Sequence, residues 1–127
     1  MLFRSPKYGL AHFQLGQALN RLGRHEEAYK SFERVLAIEP ADTRELAVFD
    51  DALYEMASLD IKMGAHERAA GLLATLIQEN PKHETAYYAY GQVLLHLGRA
   101  EEAQQAFEKH MKILTAKNPV DTVAAPE

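Results

Sequence analysis

The chain contains no cysteine, which excludes a disulfide, a thiolate nucleophile and any Cys-rich metal site without fixing the compartment in which it works. It has no apolar run approaching the ~20 residues that a membrane-spanning helix requires, so no membrane insertion is expected. There is no basic excess either. Lys and Arg number 14 against 18 Asp and Glu, a formal net charge of -4, whereas a nucleic-acid partner would need clustered cations to neutralise phosphates. β-Branched residues are few beside Leu and Ala, which favours helix over sheet. What is present suffices for one packed domain, since 47% of the 127 residues are hydrophobic and 25% are charged.

The same residues recur along the chain. Leu15-Gly16, Gly23, Ala28, Phe32 and Pro40 return as Tyr90-Gly91, Gly98, Ala103 and Phe107. Between them, Ala57, Gly64, Ala69, Leu73 and Pro81 keep the same internal spacings. Gly16 to Ala28, Ala57 to Ala69 and Gly91 to Ala103 are each a step of twelve residues, and Pro40 and Pro81 follow that Ala by twelve more. The second and third copies lie 34 residues apart. A period of this length marks one supersecondary unit stacked on its neighbours, an architecture that makes binding surfaces more readily than reaction centres.

Each copy resolves into two helices joined by a turn glycine. The spacing predicts a helix over about 7–21, carrying Leu10, Phe13, Leu15, Ala18, Leu19 and Leu22, with Gly23 as its C′ residue. A second follows over about 25–38, opened by Glu26-Glu27 at the positive end of the helix dipole, burying Ala28, Phe32, Val35 and Leu36, and stopped by Pro40. The third copy repeats the plan over about 84–97 and 100–117, around Gly98. Gly16, Ala57 and Gly91, with Ala28, Ala69 and Ala103, are expected to let paired helices approach closely. Phe32, Leu73 and Phe107 are expected to fill the space between neighbouring pairs.

These residues together resemble the tetratricopeptide repeat (TPR) family over roughly 9–117. The first repeat reads His12, Leu15-Gly16, Leu19, Ala28, Phe32 and Pro40, and the third reads Tyr87, Tyr90-Gly91, Leu94, Ala103 and Phe107. The middle copy is weaker, with Leu53, Met56-Ala57, Asp60, Ala69, Leu73 and Pro81, and the third has Thr115 where Pro would close the unit. The resemblance implies an all-α fold, an α-solenoid of antiparallel helix hairpins with about six helices in three repeats. It implies a protein-interaction module and no enzyme, cofactor or metal.

In that family the first helices line a concave groove. The residues aligned with it here are Phe13, Gln17, Asn20 and Arg21; then Tyr54, Ser58 and Lys62; then Tyr88, Gln92 and His96. Phe13, Tyr54 and Tyr88 share one place in successive repeats and would form an aromatic stripe beside hydrogen-bonding side chains, suited to an extended peptide. The alternative is that some of these rings tuck into helix packing; Tyr87, Tyr88 and Tyr90 cannot all face one way. Family members that grip the acidic tail of heat-shock chaperones use groove Lys, Arg and Asn residues to clamp carboxylates. The corresponding places here hold Phe13, Gln17, Ser58, Thr85 and Ala89, so a neutral or mixed-charge ligand is expected.

The first and second copies are 41 residues apart, a surplus of seven. Seven residues are close to two helical turns, so a helix absorbs them without rotating its buried face. Leu46, Phe49, Leu53 and Met56-Ala57 keep helical spacing across the region, and Asp42 with Glu45 forms a cap signal. One long helix over about 43–62 is therefore expected; the alternative is a seven-residue loop before a helix of ordinary length.

No catalytic constellation emerges. His25-Glu26-Glu27 and His66-Glu67-Arg68 open like a zinc-protease helix, but Tyr29 and Ala70 stand where the second His belongs. His12, His83, His96 and His110 are scattered, and Asp50, Asp51, Glu55 and Asp60 are expected on a solvated face. The glycines belong to the repeat and form no phosphate loop.

At the ends, Leu2-Phe3-Arg4-Ser5 matches what a common sequencing-adapter end would encode (CTC TTC CGA TCT). Residues 1–5 are read as a non-native or unstructured leader without the apolar stretch of a signal peptide. Pro6 lies 34 residues before Pro40, in the closing-proline place of an earlier repeat. The domain is expected over 6–117, with 118–127 a disordered tail. Its last helix, with Glu101, Glu102, Gln104, Gln105, Glu108, Lys109 and Lys112 outward, is expected to act as a cap. Two further expectations stand beside groove binding. The segment would be the C-terminal accessory part of a larger enzyme or secretion component, or it would self-associate through an N-terminal face that includes Leu10 and Phe13.

Overall fold

Six α-helices follow one another among the described residues: α1 (Pro6–Arg21), α2 (His25–Leu36), α3 (Thr43–Lys62), α4 (His66–Glu79), α5 (Glu84–His96) and α6 (Ala100–Lys117). They are seen in a computed structural model that describes residues 6–118, with side chains from residue 8, and no strand occurs among the described residues. The leader expected over 1–5 and all but Asn118 of the tail expected over 118–127 lie outside these residues. The chain divides into two compact units, one ending at Ala65 and the other beginning at His66.

In the first unit, α1 packs along α2, and α3 packs against both. Gly23 makes the first turn possible. Its φ of 80° lies in the left-handed region, and Gly64 and Gly98 repeat the conformation at 80° and 77°. The Gly23 amide donates to Asn20 O at 3.0 Å and the Arg24 amide to Leu19 O at 2.9 Å, which returns the last carbonyls of α1 to hydrogen bonds. Across the same turn the His25 Nδ1–H donates to Asn20 Oδ1 at 2.9 Å.

The expectation that Phe32 and Phe107 fill the space between neighbouring pairs is corrected. Each ring lies inside its own hairpin, over the glycine of the partner helix. A Cβ added at Gly16 would stand 2.6 Å from the Phe32 ring, and one at Gly91 would stand 2.6 Å from the Phe107 ring. The ring thus occupies the volume that a side chain on the opposing helix would take, and the hairpin closes to ring thickness. Phe32 and Ala28 are fully buried, with Val35 close behind, while Leu36 is half-buried.

The surplus residues are helical, so the loop alternative falls away. Asp42 is the N-cap of α3, accepting from the Glu45 amide at 2.9 Å, and Glu45 Oε1 reaches back to the Ala41 amide at 2.8 Å. With 20 residues α3 is ~30 Å long, against ~20 Å for the 13 residues of α5. Asp50 and Asp60 are buried, correcting the solvated face expected for the acidic residues of this helix. The Tyr29 hydroxyl donates to Asp60 Oδ2 at 3.3 Å, a hydrogen-bond partner 31 residues away that makes burial of a carboxylate tolerable.

In the second unit, α5 packs against α6 and α4. Leu94, Ala103 and Ala106 form a core cluster with Tyr90 and Phe107 packed against it. Arg99 holds Glu102 at 2.6 Å across the first turn of α6, as Arg24 holds Glu27 at 2.6 Å in α2, so the repeat extends to its surface ion pairs. The outward residues of α6 named above are exposed as expected, yet Leu95 and Met111 are also more than half exposed, beside a shallow hollow lined by Phe107.

Candidate functional site

The residues aligned with the groove fall into three ladders at i, i+4 and i+8, which places each set on one helix face. In the first unit, α1 carries Phe13, Gln17 and Arg21 with Asn20 alongside, and α3 carries Tyr54, Ser58 and Lys62. In the second unit, α5 carries Tyr88, Gln92 and His96. None of the ten is fully buried, and Arg21, Lys62, Tyr88, Gln92 and His96 are exposed.

The three aromatics differ in freedom. Phe13 is half-buried, its ring centroid 5.7 Å from that of Phe32 and tilted by 53°, so it also belongs to the packing of its hairpin. Tyr54 is half-buried. Tyr88 is 46% exposed, lying 5.6 Å from Phe107 and 5.3 Å from His110, with its hydroxyl accepting from Gln92 Nε2 at 3.4 Å. Of its neighbours, Tyr87 is half-buried, its phenol pushed up by burial, and Tyr90 packs on the core. Asn20 is engaged by His25 and the Gln92 amide nitrogen by Tyr88, which leaves the Gln92 carbonyl oxygen and the Gln17 amide for a peptide backbone.

The histidines that looked scattered have definite places. His83 caps α5, its Nδ1 accepting from the Ala86 amide at 3.1 Å, and His110 Nδ1–H donates to the Glu84 carbonyl at 2.8 Å. His66 and His96 stack face to face at 4.5 Å and 5° within the second unit. His66 stands where His25 stands in the first repeat, but Ile61 replaces the amide of Asn20, and His66 Nδ1 is buried without a hydrogen-bond partner. Among the described residues no three His, Asp or Glu side chains converge on a metal position. Lys117 Nζ donates to Glu84 Oε1 at 2.6 Å, which holds the Glu84 carboxyl below the usual range.

Sequence reasoning missed one feature of the first unit. Beneath the start of α3 lies a cavity of about 320 Å³ whose apolar lining includes Leu10, Val35, Ile38, Val48 and Phe49. The seven-residue surplus was its only visible signal.

A tetratricopeptide-repeat family model matches residues 49–114, and a second matches residues 9–42. The chain belongs to the tetratricopeptide-repeat family. No curated protein matches it in sequence. Among solved structures it is similar to MamA, at 23% identity and a TM-score of 0.77, over 89% of this chain and 62% of that one. It is also similar to the second TPR of Spaghetti (RPAP3) bound to the HSP90 peptide SRMEEVD, at 19% identity and a TM-score of 0.75, over 88% of this chain and 97% of that one. A third is the Hsp90 co-chaperone Cns1 from Saccharomyces cerevisiae, at 17% identity and a TM-score of 0.74, over 93% of this chain and 41% of that one. This TPR chain therefore spans less than two thirds of the MamA chain, and the likenesses establish an all-α helical repeat fold. No helix among the described residues is long and apolar enough to cross a membrane.

Proposed function

We propose that this TPR chain is a protein-interaction module that holds an extended peptide on its first helices. The observation that carries the reading is the threefold ladder of an aromatic followed by polar side chains at i+4 and i+8: Phe13, Gln17, Arg21; Tyr54, Ser58, Lys62; Tyr88, Gln92, His96. Exposed amide, hydroxyl and imidazole groups meet the backbone of an extended chain, and the rings offer apolar surface for its side chains. The reading assigns the chain no reaction and no cofactor.

The ligand proposed is neutral or of mixed charge. A structural neighbour binds SRMEEVD, a peptide ending in carboxylates, but the positions that would clamp carboxylates hold Phe13, Gln17, Ser58, Thr85 and Ala89. Amide-resonance NMR of the labelled chain, titrated first with SRMEEVD and then with extended peptides of neutral and mixed charge, tests both parts. SRMEEVD should leave the spectrum unchanged, and a binding peptide should move resonances of α1 and α3 in the first unit or of α5 in the second. Saturable SRMEEVD binding would refute the charge argument. A peptide that perturbs only α2, α4 and α6 would refute the assignment of the face.

A second reading rests on α1. Ala11, Leu15, Ala18 and Leu22 are all exposed and follow the 4-3-4 spacing of a helix-helix seam, with Leu22 at 70%. Leu10 is exposed as the sequence led one to expect, while Phe13 leans on Phe32. Self-association through this stripe predicts a dimer in light scattering that Leu15→Glu dissociates; a monomer at all concentrations removes it.

A further inference from the structure

Helix α1 has its hairpin partner α2 packed along it, yet Ala11, Leu15 and Ala18 stay exposed. The same repeat positions in α3 are Ala52, Met56 and Leu59, none of them more than 3% exposed. In α5 they are Ala86, Tyr90 and Val93, of which Ala86 and Val93 are fully buried and Tyr90 packs on the core. What α3 and α5 have, and α1 lacks among the described residues, is the second helix of a preceding repeat: α2 packs on α3, and α4 on α5. The α1 stripe is therefore one half of a repeat interface.

The matching half stands in the last repeat. No first helix follows α6 among the described residues, and its side chains are correspondingly bare. Phe107 is half-buried where Phe32 and Leu73 are fully buried, and Leu95 and Met111 are more than half exposed where Ile61 and Ile77 are half-buried. With Ala100 and Gln104 they line the hollow of the second unit. In the earlier repeats these positions meet the next first helix. His66, the counterpart of Ala100, stacks on His96 of α5, and Tyr29, the counterpart of Gln104, bonds Asp60 of α3.

We propose that these two surfaces join head to tail between copies of this chain, α1 of one copy seating on the α6 hollow of another as α3 seats on α2 and α5 on α4. The inference rests on the self-association reading given above, names the surface that the stripe meets, and uses nothing of the peptide reading. The interior register sets the placement. Transposed by the repeat spacing, the His66–His96 stack brings Arg21 of the incoming α1 to Ala100, beside Glu101 in the acidic first turn of α6. Helix α1 contains no acidic residue, so the two ends match in charge as well as in apolar surface. The charges fix the register, and burial of the stripe in the hollow supplies the attraction. Because two different patches meet, each pair leaves one α1 and one α6 open to further copies.

The test is light scattering coupled to size-exclusion chromatography on the full chain over a range of concentrations, with two variants that each block one half. Leu15→Glu charges the stripe and Met111→Glu charges the hollow. Both residues are exposed, so circular dichroism should match wild type; Leu22→Glu and Leu95→Glu, also at exposed positions, replace either variant that fails to fold. The wild-type mass should rise with concentration through a dimer to larger species, and each variant alone should stay a monomer. An equal mixture of the two should form a dimer and nothing larger, because the intact α6 of one meets the intact α1 of the other. A mixture that stays monomeric, or either variant associating as wild type does, would overturn the proposal. If Met111→Glu dimerises and Leu15→Glu does not, the stripe pairs with itself, and the earlier self-association reading survives without this one. A wild type that is monomeric at every concentration removes both and leaves the stripe to a different helical-repeat chain. Neither substitution alters a ladder residue, so the peptide face is judged by its own titration.

Discussion

Gly16→Ala is the substitution that most directly tests how the hairpins close. The added methyl would lie 2.6, 2.8 and 2.9 Å from Cε1, Cζ and Cδ1 of Phe32, where carbon atoms normally rest at ~3.5–4.0 Å. The ring must retreat by about 1 Å, and Phe32 is fully buried with nowhere to go. Overpacking of this kind costs ~1–3 kcal/mol, and the better helix propensity of Ala returns ~1 kcal/mol. A net loss of about 1 kcal/mol, and no more than ~2, is expected. Gly91→Ala meets the same geometry, 2.6 to 2.8 Å from Phe107, but that ring is partly exposed and can swing toward solvent, so its loss should be the smaller. Urea denaturation followed by far-ultraviolet circular dichroism reads the difference, since ~1.5 kcal/mol moves the midpoint by roughly 0.5–1.5 M at typical slopes. The sequence supplies a control. At the corresponding places the middle repeat holds Ala57 and Leu73, so Gly16→Ala with Phe32→Leu should lose less than the two single changes added together. A Gly16→Ala midpoint equal to or above wild type, or a Gly91→Ala loss larger than that of Gly16→Ala, would refute the account.

Other outcomes follow from the same structure. Ala103→Leu, at a fully buried position in the cluster with Leu94 and Ala106, should cost ~1–3 kcal/mol by overpacking, measured by the same denaturation. Asp42→Ala removes the cap on the Glu45 amide and should cost ~1 kcal/mol, with faster hydrogen exchange confined to the first turn of α3. The Glu84–Lys117 pair should make the end of α6 sensitive to acid. The folded Glu84 carboxyl is held below its ordinary value by the Lys117 hydrogen bond, so its contribution is complete above the unfolded value of ~4.3 and is lost as pH falls through the depressed folded value. Amide exchange near Leu114 should rise over that acid range in wild type, whereas Lys117→Ala should show the faster exchange already at neutral pH.

What the sequence revealed was local. The cap at Asp42, the turn glycines and the phase of the seven extra residues are each settled within a few positions, and the helices begin and end close to where those signals stand. What it concealed depended on distant partners. Asp60 is buried where its acidic neighbours argued for solvent, because Tyr29 is brought to it from another helix. His96 read as isolated until α4 brought His66 against it. The pairing of a small with a large residue was visible at Gly16 and Phe32, but not the side of the helix pair that the ring would occupy. The ladders at 13, 54 and 88 could be drawn from spacing alone, while the difference between a leaning Phe13 and a half-free Tyr88 needed the second helix of each hairpin. The cavity under α3 could not be drawn at all, since three separate helix ends enclose it.

The three turn glycines also carry a stereochemical consequence. At Gly23, Gly64 and Gly98 an added Cβ would meet nothing within 4 Å, so these positions are closed to other residues by handedness and not by volume. An L-residue held there pays ~1–2 kcal/mol, whereas its mirror image is at ease at the same φ. In a chain made by chemical synthesis, D-alanine at the three turns should fit without disturbing a neighbour and should narrow the unfolded ensemble by ~0.4–1 kcal/mol at each. The turns would then be fixed by chirality where they are now merely permitted by the absence of a side chain.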